Sequence, residues 1–478
     1  MEENKVKRTL GLFDTTMIVS GSMIGSGIFI VSSEMARTVG GGGWLLLCWL
    51  ITGLITIFAA LSYGELAGMM PKAGGQYVYL KKAFSPLVAF MYGWTVFLVI
   101  QTGVIAAVAV AFAKYVGVFI PFFNEENIFF EIGNFKIKNA QLLAIGSILL
   151  LTWINTSGVQ YGKSVQRIFT SAKLMALFIL ILVGIYVGFS ADTFSQNTET
   201  FWKAFSVTNK TEGSGITLSG FAIVTAMGVA LIGSLFSSDA WNNVTFIAGE
   251  IKEPQRNIPL GLFMGTTIVT LLYILANIAY LCLLPMQDIQ FAEHDRVGAA
   301  AMSKVFSGET AALLMAGLII VSTFGCNNGL ILAGSRLFQA MAKDGLFFRK
   351  AASLNTKAVP ANALIYQGIW ASVLCLSGTY GDLLEYSTFA SLIFYMVTIA
   401  ALFILRKKEP NAERPYKAWG YPVVPLVYLV ITFLICVDLL YFKPANTGIG
   451  LFIVALGAPV YFILNKYSLD KQNTENNL

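Results

Sequence analysis

The chain has 478 residues, of which 56% are hydrophobic and 12% are charged. Soluble domains carry about 25% charged residues, so this composition excludes an ordinary soluble protein and favours many lipid-facing helices. A spanning helix needs about 20 mostly apolar residues. Membrane-spanning helices are therefore supported by nearly uncharged runs at 142–154, 174–189, 260–284 and 423–442. Such runs also exclude a transmembrane β-barrel, whose strands are about 10 residues long and alternate in polarity.

The charge and the cysteines point away from nucleic-acid, disulfide and metal chemistry. The net charge of +6 follows from where the basic residues lie, and we expect no nucleic-acid partner. Because every cysteine lies inside an apolar segment, we expect no disulfide framework, no metal site and no cofactor. The cysteines are Cys48, Cys282, Cys326, Cys375 and Cys436.

Apolar spacing and turn signals predict an all-α integral membrane protein with twelve transmembrane helices. The first apolar stretch follows a polar, basic start and no cleavage site is evident, so we expect a helix of the mature protein and not a signal peptide. The predicted spans are 14–38, 44–68, 85–116, 139–155, 166–189, 218–249, 257–284, 309–342, 361–378, 382–405, 421–442 and 448–466.

The predicted spans fall into two groups of five and a final pair. Lys and Arg lie mostly in the segments that an inside N-terminus would place in the cytoplasm, and this bias predicts that both termini are cytoplasmic. The expected regions are a cytoplasmic N-terminus at 1–13, helices 1–5 at 14–189, helices 6–10 at 218–405, helices 11–12 at 421–466 and a cytoplasmic tail at 467–478.

Two of the spans contain a dense run of glycine and small polar residues. Gly21-Ser-Met-Ile-Gly-Ser-Gly-Ile-Phe29 lies in the first span, and Gly228-Val-Ala-Leu-Ile-Gly-Ser-Leu-Phe-Ser-Ser-Asp239 lies in the sixth. A single run of small residues usually serves helix packing, but glycine also leaves helical geometry readily. Two interrupted helices at corresponding positions of two halves indicate an inverted-repeat transporter, a rule that the leucine-transporter fold illustrates.

A pair of broken helices suits an amino acid as substrate. Each break frees backbone N–H and C=O groups where lipid offers them no partner. A helix carries roughly half a positive charge at its N-terminus and half a negative charge at its C-terminus. A zwitterion can satisfy both ends, so the protein needs few buried ionised side chains, each of which costs about 2.5–3.5 kcal/mol at the membrane centre.

The first run resembles the first-helix motif of the amino acid–polyamine–organocation superfamily, and Pro71-Lys-Ala-Gly-Gly-Gln-Tyr77 is typical of its L-amino acid transporter branch. Further motifs agree in order between about residues 10 and 440, namely Trp241-Asn242, Gly249-Glu-Ile-Lys-Glu-Pro-Gln-Arg-Asn-Ile-Pro259, Tyr273-Ile-Leu-Ala-Asn277, Ser322-Thr-Phe-Gly325 and Ser335-Arg336. The resemblance implies a 5+5 inverted-repeat core of the leucine-transporter type, with helices 1 and 6 broken, plus two C-terminal helices. It also implies sodium-independent transport of L-amino acids, often by exchange.

The resemblance assigns roles to individual positions. Lys173 matches a fifth-helix lysine that stands in for a sodium ion, Phe236 matches a bulky gate, and Tyr273 matches a tyrosine that reaches the first break. The residues implied to hold the substrate carboxylate are Ser22, Met23, Ile24, Gly25, Ser26 and Gly27, and those implied to hold its ammonium are Phe236, Ser237, Ser238 and Asp239. We expect Pro71–Tyr77 to shape an inner gate without touching the substrate.

Each of these residues also has a plainer interpretation. Lys173 is compatible with a lysine near the end of its span whose ammonium snorkels to the surface. Asp239 is compatible with a carboxylate that braces the break, or with a counter-charge for a cationic substrate side chain. For the remaining candidates, the alternative to a site role is core packing or an interhelical hydrogen bond. These candidates are Phe236, Trp241, Asn242, Tyr273 and Asn277.

Other functions and partners fit the sequence less well. His294 is the only histidine and is expected in a solvated loop, so a histidine-based membrane enzyme is not supported. Ion channels typically contain rings of charged residues or repeated filter loops, and the sequence shows neither. Exchange and proton symport both stay open, since both can use a buried lysine in place of sodium.

The expected partners are an amino acid, for which a neutral one is favoured, and the lipid of the cell membrane. Some animal members of the superfamily are disulfide-linked to a heavy chain through a cysteine in the loop after the third span. The corresponding loop here, 117–138, has no cysteine, so we expect no disulfide-linked heavy chain.

Overall fold

A computed structural model describes residues 8–124, 126–132, 135–188, 193–207, 215–306, 308–377 and 380–475. Most of the regular structure in these ranges is α-helix, as the apolar runs predict. The helices are α1 (Leu12–Met23), α2 (Val31–Val39), α3 (Gly42–Met69), α4 (Gln76–Ala83), α5 (Pro86–Thr95), α6 (Gln101–Phe119), α7 (Asn139–Thr156), α8 (Val159–Gly188), α9 (Thr193–Glu199), α10 (Phe221–Ser237), α11 (Pro254–Leu283), α12 (Met286–Gln290), α13 (Val297–Ser303), α14 (Gly308–Lys343), α15 (Ala361–Ser377), α16 (Tyr380–Lys408), α17 (Val423–Phe442) and α18 (Pro444–Glu475).

Ten stretches in the described part of the chain are long and apolar enough to cross a membrane. One of them is Pro86–Phe119, in which a π-helical segment at Val96–Ile100 joins α5 to α6. α15 is apolar but shorter, and α1 and α2 are short because a break separates them. The prediction of a helical, multi-pass membrane protein is therefore confirmed.

The first glycine run produces a break between α1 and α2. α1 ends at Met23, and Ile24 is extended with ψ 99°. A 3₁₀ turn at Gly27–Phe29 follows before α2 begins. The chain therefore leaves helical geometry within the segment that the glycines mark.

The second break lies at the end of the second run, within the stretch Phe236–Asp239. α10 continues through Gly228 to Ser237, and the chain leaves helical geometry at Ser238, before Ala240 takes the left-handed conformation with φ 64°. Gly228 serves packing instead, because a Cβ there would lie 2.2 Å from a carboxylate oxygen of Asp438. One glycine within a helix costs only about 1 kcal/mol, which close packing can offset.

The predicted fifth span, 166–189, begins too late. α8 starts at Val159, so Lys163 and Arg167 lie on its first turns and not in a loop. Both pair with the buried carboxylate of Asp14 on α1, at 3.1 and 2.5 Å. Because the charges are paired, the helix extends past them, and Lys173 lies near the middle of α8.

Two short β-hairpins in loops depart from the all-α prediction. β1 (Ile128–Ile132) pairs antiparallel with β2 (Phe135–Lys138). β3 (Phe205–Ser206) pairs antiparallel with β4 (Ile216–Thr217). The alternating apolar and basic residues of β2 are a strand pattern, but hydropathy windows sized for membrane spans do not detect so short an element.

A buried ion-pair cluster ties α3 to α16 and the segment that follows it. The carboxylate of Glu65 is inaccessible to solvent and lies 2.6 Å from Arg406 and 3.2 Å from Arg414. It also accepts a hydrogen bond from the backbone N–H of Ala418 at 2.7 Å. A buried carboxylate is tolerated when its partners are this complete, and removing one partner leaves an uncompensated charge.

We expect Glu65→Gln to destabilise the fold by about 3–5 kcal/mol, because it leaves two arginines without their carboxylate. The midpoint of thermal unfolding of the detergent-solubilised protein measures the loss. Glu253→Gln is the matched control, since the pair of Glu253 with Arg256 is 71% exposed on both sides. Exposed pairs contribute about 0–1 kcal/mol, so equal shifts in the two variants would contradict the assignment.

Candidate substrate site

The first break presents backbone donors without a partner. The N–H groups of Gly25 and Gly27 donate no hydrogen bond to any residue that the structure describes. They lie just before α2, whose N-terminus carries the positive end of a helix dipole, so this segment attracts an anion. All of the predicted carboxylate-binding residues, Ser22–Gly27, are buried along this one connection.

The carbonyls of the same break are already occupied. Each carbonyl from Gly21 to Gly25 lies within hydrogen-bond distance of a side chain from another helix. The contacts are Lys173 Nζ to the Gly21 and Ile24 oxygens at 2.5 and 2.6 Å, Ser322 Oγ to the Ile24 and Gly25 oxygens at 3.2 and 3.0 Å, Cys326 Sγ to the Ser22 oxygen at 3.0 Å, and Tyr273 Oη to the Met23 oxygen at 3.2 Å. The break therefore offers its donors, and not its acceptors, to a ligand.

Lys173 is the cation of this region and is 3% exposed. Its ammonium also lies 3.5 Å from the Ser322 carbonyl and forms no ion pair with a described residue. The snorkelling alternative is wrong, because the ammonium points at backbone carbonyls inside the protein. The C-terminal end of α1 carries the negative end of a helix dipole, which stabilises a buried cation.

The second break presents the opposite polarity. The carbonyls of Ser238 and Asp239 accept no hydrogen bond from the described residues. The other two carbonyls predicted to hold an ammonium are occupied. Phe236 O accepts from the Asp239 N–H at 3.1 Å, and Ser237 O lies 2.9 Å from the Tyr273 hydroxyl.

The two breaks are in direct contact. A Cβ at Gly27 would lie 2.1 Å from Ser237 Oγ and 3.2 Å from Ser237 Cα, so only glycine fits at this position. The Tyr273 hydroxyl lies between the carbonyls of Met23 and Ser237 and links the two segments. At Gly25 a Cβ would meet nothing closer than Cys326 Sγ at 3.6 Å, so the backbone there is more open.

The Asp239 carboxylate is held by neighbouring donors. The Tyr395 hydroxyl donates to it, and the Ser391 hydroxyl lies 3.5 Å away. Tyr395 also lies 3.2 Å from Asn242 Oδ1, and the Asn242 amide donates to Gln76 Oε1 at 2.9 Å. This geometry favours the bracing interpretation of Asp239 over a free counter-charge.

A narrow cavity lies beside the second break. Its wall includes Asp239, Tyr395 and Asn243 together with Gln76 and Gln101, and none of Ser22–Gly27 lines it. Gln76, the first residue of α4, thus lines this cavity.

Comparison with known proteins identifies the family. A family model described as amino acid permease matches residues 10–464. The chain belongs to the amino acid permease family. The match covers the whole stretch over which the motifs agree, so the resemblance is confirmed, and the family is one of permeases and not of enzymes.

Relatives of this permease match it over nearly the whole of this chain and over 80–90% of their own length. The large neutral amino acids transporter small subunit 2 of Homo sapiens is 31% identical over 96% of this chain and 80% of its own length. The b(0,+)-type amino acid transporter 1 of Mus musculus is 27% identical over 98% of this chain and 90% of its own. The Asc-type amino acid transporter 1 of Mus musculus is 28% identical over 97% of this chain and 82% of its own length.

In this amino acid permease, Trp241 and Asn277 have packing contacts. Trp241 packs edge-on against Tyr63, with ring centroids 4.7 Å apart. Asn277 on α11 accepts from Ser32 Oγ on α2 at 2.7 Å and donates to the Tyr273 carbonyl at 2.8 Å. Both contacts match the plainer interpretation of these residues.

Four side chains of the candidate site are not among the residues that the sequence indicates for it. They are Gln76, Ser322, Cys326 and Tyr395. Ser322 and Cys326 are four residues apart within an apolar span, which places them on one helix face, and that spacing is a signal that could have been used. Tyr395 carries no local signal, because its role depends on where α16 packs.

We expect Lys173→Met to reduce transport at least about tenfold, because the Gly21 and Ile24 carbonyls lose charge-assisted donors worth about 1.5–3 kcal/mol each. Uptake of radiolabelled amino acid into proteoliposomes measures the effect. Leu177→Met is the matched control, because Leu177 is 1% exposed and lies one turn further along α8. Wild-type uptake by Lys173→Met would refute the role of the ammonium.

Proposed function

We propose that this permease moves neutral L-amino acids across the membrane by alternating access, without sodium, as an exchanger. The observation that carries the proposal is the opposite polarity of the two touching breaks. Gly25 and Gly27 leave N–H donors for a carboxylate, while Ser238 and Asp239 leave carbonyls for an ammonium. A zwitterion fits this arrangement without a buried counter-ion.

The proposed architecture has twelve spans. Ten long stretches, the shorter α15 and the broken pair α1–α2 supply that number in the described part of the chain. The first repeat covers 14–189, the inverted repeat covers 218–405, and the last two helices cover 421–466. The breaks in the first helix of each repeat support this division.

The proposed location is the cell membrane, with residues 1–13 and 467–478 in the cytoplasm. The bias of Lys and Arg supports this orientation. The ion pairs of Asp14 and Glu65 then lie near the cytoplasmic face. The permease acts without a disulfide-linked heavy chain, because the loop 117–138 has no cysteine, although the human relative is named as a small subunit.

Independence of sodium follows from the position of Lys173. Its ammonium contacts the carbonyls of Gly21 and Ile24 and approaches that of Ser322, so a fixed cation occupies the place where those carbonyls could bind a metal ion. A hard cation such as sodium requires oxygen ligands of this kind. The protein therefore supplies its own cation.

We expect uptake of a labelled amino acid to rise strongly when proteoliposomes are preloaded with an unlabelled one, and to be unchanged by sodium. A panel of twenty amino acids on the inside identifies the substrates. Uptake into empty vesicles driven by an inward proton gradient would favour symport instead. Flux that never saturates and shows no counterflow would indicate a channel and overturn the proposal.

We expect Asp239→Asn to lower exchange of every substrate to a similar extent, because the carboxylate braces the break through Tyr395 and Ser391. Loss of one hydrogen bond to a charged group costs about 1.5–3 kcal/mol, or about tenfold or more in rate. Uptake of lysine and of a neutral amino acid, measured side by side, tests this. Selective loss of lysine uptake would show that Asp239 is a counter-charge for cationic substrates.

A further inference from the structure

The segment between α11 and α14 lies directly on the first break. A Cβ at Gly298 on α13 would lie 3.0 and 3.3 Å from atoms of the Phe29 side chain, so the two residues are in contact. Phe29 ends the 3₁₀ turn that separates α1 from α2. In the orientation proposed above, residues 285–303 are outside the membrane, so they cover the first break on its outer side. We call these residues the outer lid.

The outer lid is also held to α2, the helix that follows the break. Arg37 Nη1 lies 2.6 Å from the Asp295 carboxylate and 2.6 Å from the Gln290 carbonyl. Ser33 Oγ donates to the same carbonyl at 2.9 Å. These contacts fix the lid on the break, and they also occupy the carboxylate that is next in sequence to Arg296.

A cavity of about 600 Å³, which we call the outer cavity, lies between the outer lid and the end of α6. Cavities of about 300–1,000 Å³ hold drug-sized ligands, so an amino acid fits with room for water. Ionisable side chains of both signs line its wall. They are Lys114 and Glu126, from the end of α6 and the loop after it, and Glu293, His294 and Arg296, from the lid. Because the lid covers the break, an amino acid that arrives from outside must wait on this side until the lid moves.

Arg296 is a cation of this wall that lacks a protein acceptor. Its guanidinium forms no ion pair or hydrogen bond with any residue that the structure describes, and its Nε is buried. The guanidinium carbon lies 5.2 Å from the centre of the Tyr115 ring on α6, a cation–π contact that holds the group in place. The neighbouring Asp295 carboxylate is taken by Arg37. A guanidinium can bind a carboxylate through two N–H groups at once, so Arg296 suits the carboxylate of an amino acid.

We propose that the outer cavity is a waiting site for the amino acid, in which Arg296 binds the substrate carboxylate before the lid opens. The proposal rests on the transport function and the orientation proposed above. Glu126 and Glu293 supply negative charge to the same cavity for the ammonium. Charges that line a cavity in this way raise the local concentration of a ligand, and here they do so at the outer face only.

The waiting site differs from the two breaks in what it requires of a ligand. The breaks offer donors on one segment and acceptors on the other, so both charges of the amino acid are needed there. Arg296 requires only the carboxylate. A carboxylate that lacks an ammonium should therefore bind in the outer cavity, whereas an amine that lacks a carboxylate should not.

The first test measures protection of a cysteine in the outer cavity and needs no transport. Ala300 on α13 lines the cavity, and all native cysteines are buried. Ala300→Cys in the full chain should therefore react with a membrane-impermeant thiol reagent from the outer face. We expect L-leucine, and 4-methylpentanoate, which is leucine without its ammonium, to slow this reaction about tenfold at about ten times Kd. The amine 3-methylbutylamine, which is leucine without its carboxylate, should not slow it.

Matched variants assign the protection to Arg296. Arg296→Gln should remove it. Lys304→Gln should keep it, since Lys304 is a cation of the same segment that pairs with Asp288 at 3.6 Å and is not among the residues that line the cavity. Lys203→Cys, at an exposed position of another outer loop, is the labelling control, and its reaction should not be slowed.

Unchanged protection in Arg296→Gln, protection by 3-methylbutylamine, or equal protection by chloride would each overturn the proposal. Protection by leucine but not by 4-methylpentanoate would also overturn it, because it would show that a ligand at the two breaks closes the outer cavity. None of these outcomes depends on whether amino acid exchange is confirmed.

The second test compares the two faces of the membrane. In proteoliposomes of known orientation, Arg296→Gln should raise the apparent KM for amino acid at the outer face by about tenfold or more, as the loss of a hydrogen bond to a charged group does. The apparent KM at the inner face should not change, and Lys304→Gln should change neither. An equal rise at both faces would show that Arg296 only holds the lid through Tyr115, and would contradict the waiting site. Arg296→Lys, which keeps the charge but loses the paired N–H groups, replaces Arg296→Gln if that variant does not fold.

Discussion

The contact of one ammonium with the end of a helix is the constraint on which the site depends. α1 stops in the middle of a membrane protein, where freed carbonyls cannot turn to water. Lys173 reaches the oxygens of Gly21 and Ile24 at 2.5 and 2.6 Å and satisfies both. The same contact stabilises the lysine, because its charge lies at the negative end of the α1 dipole. The ammonium thus offsets the cost of the freed carbonyls, and the end of the helix offsets the cost of burying the ammonium.

Because of this contact, the first break offers hydrogen-bond donors and the second break offers acceptors. Since side chains occupy the carbonyls of the first break, only its N–H groups at Gly25 and Gly27 are left for a ligand. The second break keeps its carbonyls at Ser238 and Asp239 free, and Tyr273 links the two segments. Gly27 allows them to touch. In the proposed function, the backbone alone matches a ligand that carries both a carboxylate and an ammonium, and Phe236 and the side chains of the cavity are proposed to select among amino acids.

Much of this could be predicted from the sequence, and the exceptions have physical causes. The first break and the role of Lys173 could be predicted because a dense run of glycines and a lone charge in an apolar span are local sequence signals. Gly228 packs against Asp438 and does not interrupt the helix, and the second break lies at Ser238, within the stretch Phe236–Asp239 that the resemblance indicates. The start of α8 was placed too late, since Lys163 is paired with Asp14 and stays helical. Contacts of this kind join residues that are far apart in sequence, and no local pattern records them.

α14 contributes side chains to the cavity beside the second break and to the contact with α8. Leu330 lines the cavity, and Asn328 donates to Gln166 Oε1 on α8 at 3.1 Å. Two residues along a helix correspond to a rotation of about 200°. The two features therefore lie on nearly opposite faces of one helix. α1 is meanwhile held to α8 at both ends, by Lys173 at one and by the Asp14 pairs at the other. Any movement of α1 away from α8 must break charge-assisted bonds at both ends, so the charge on Lys173 acts directly on the segment that carries half of the proposed substrate site.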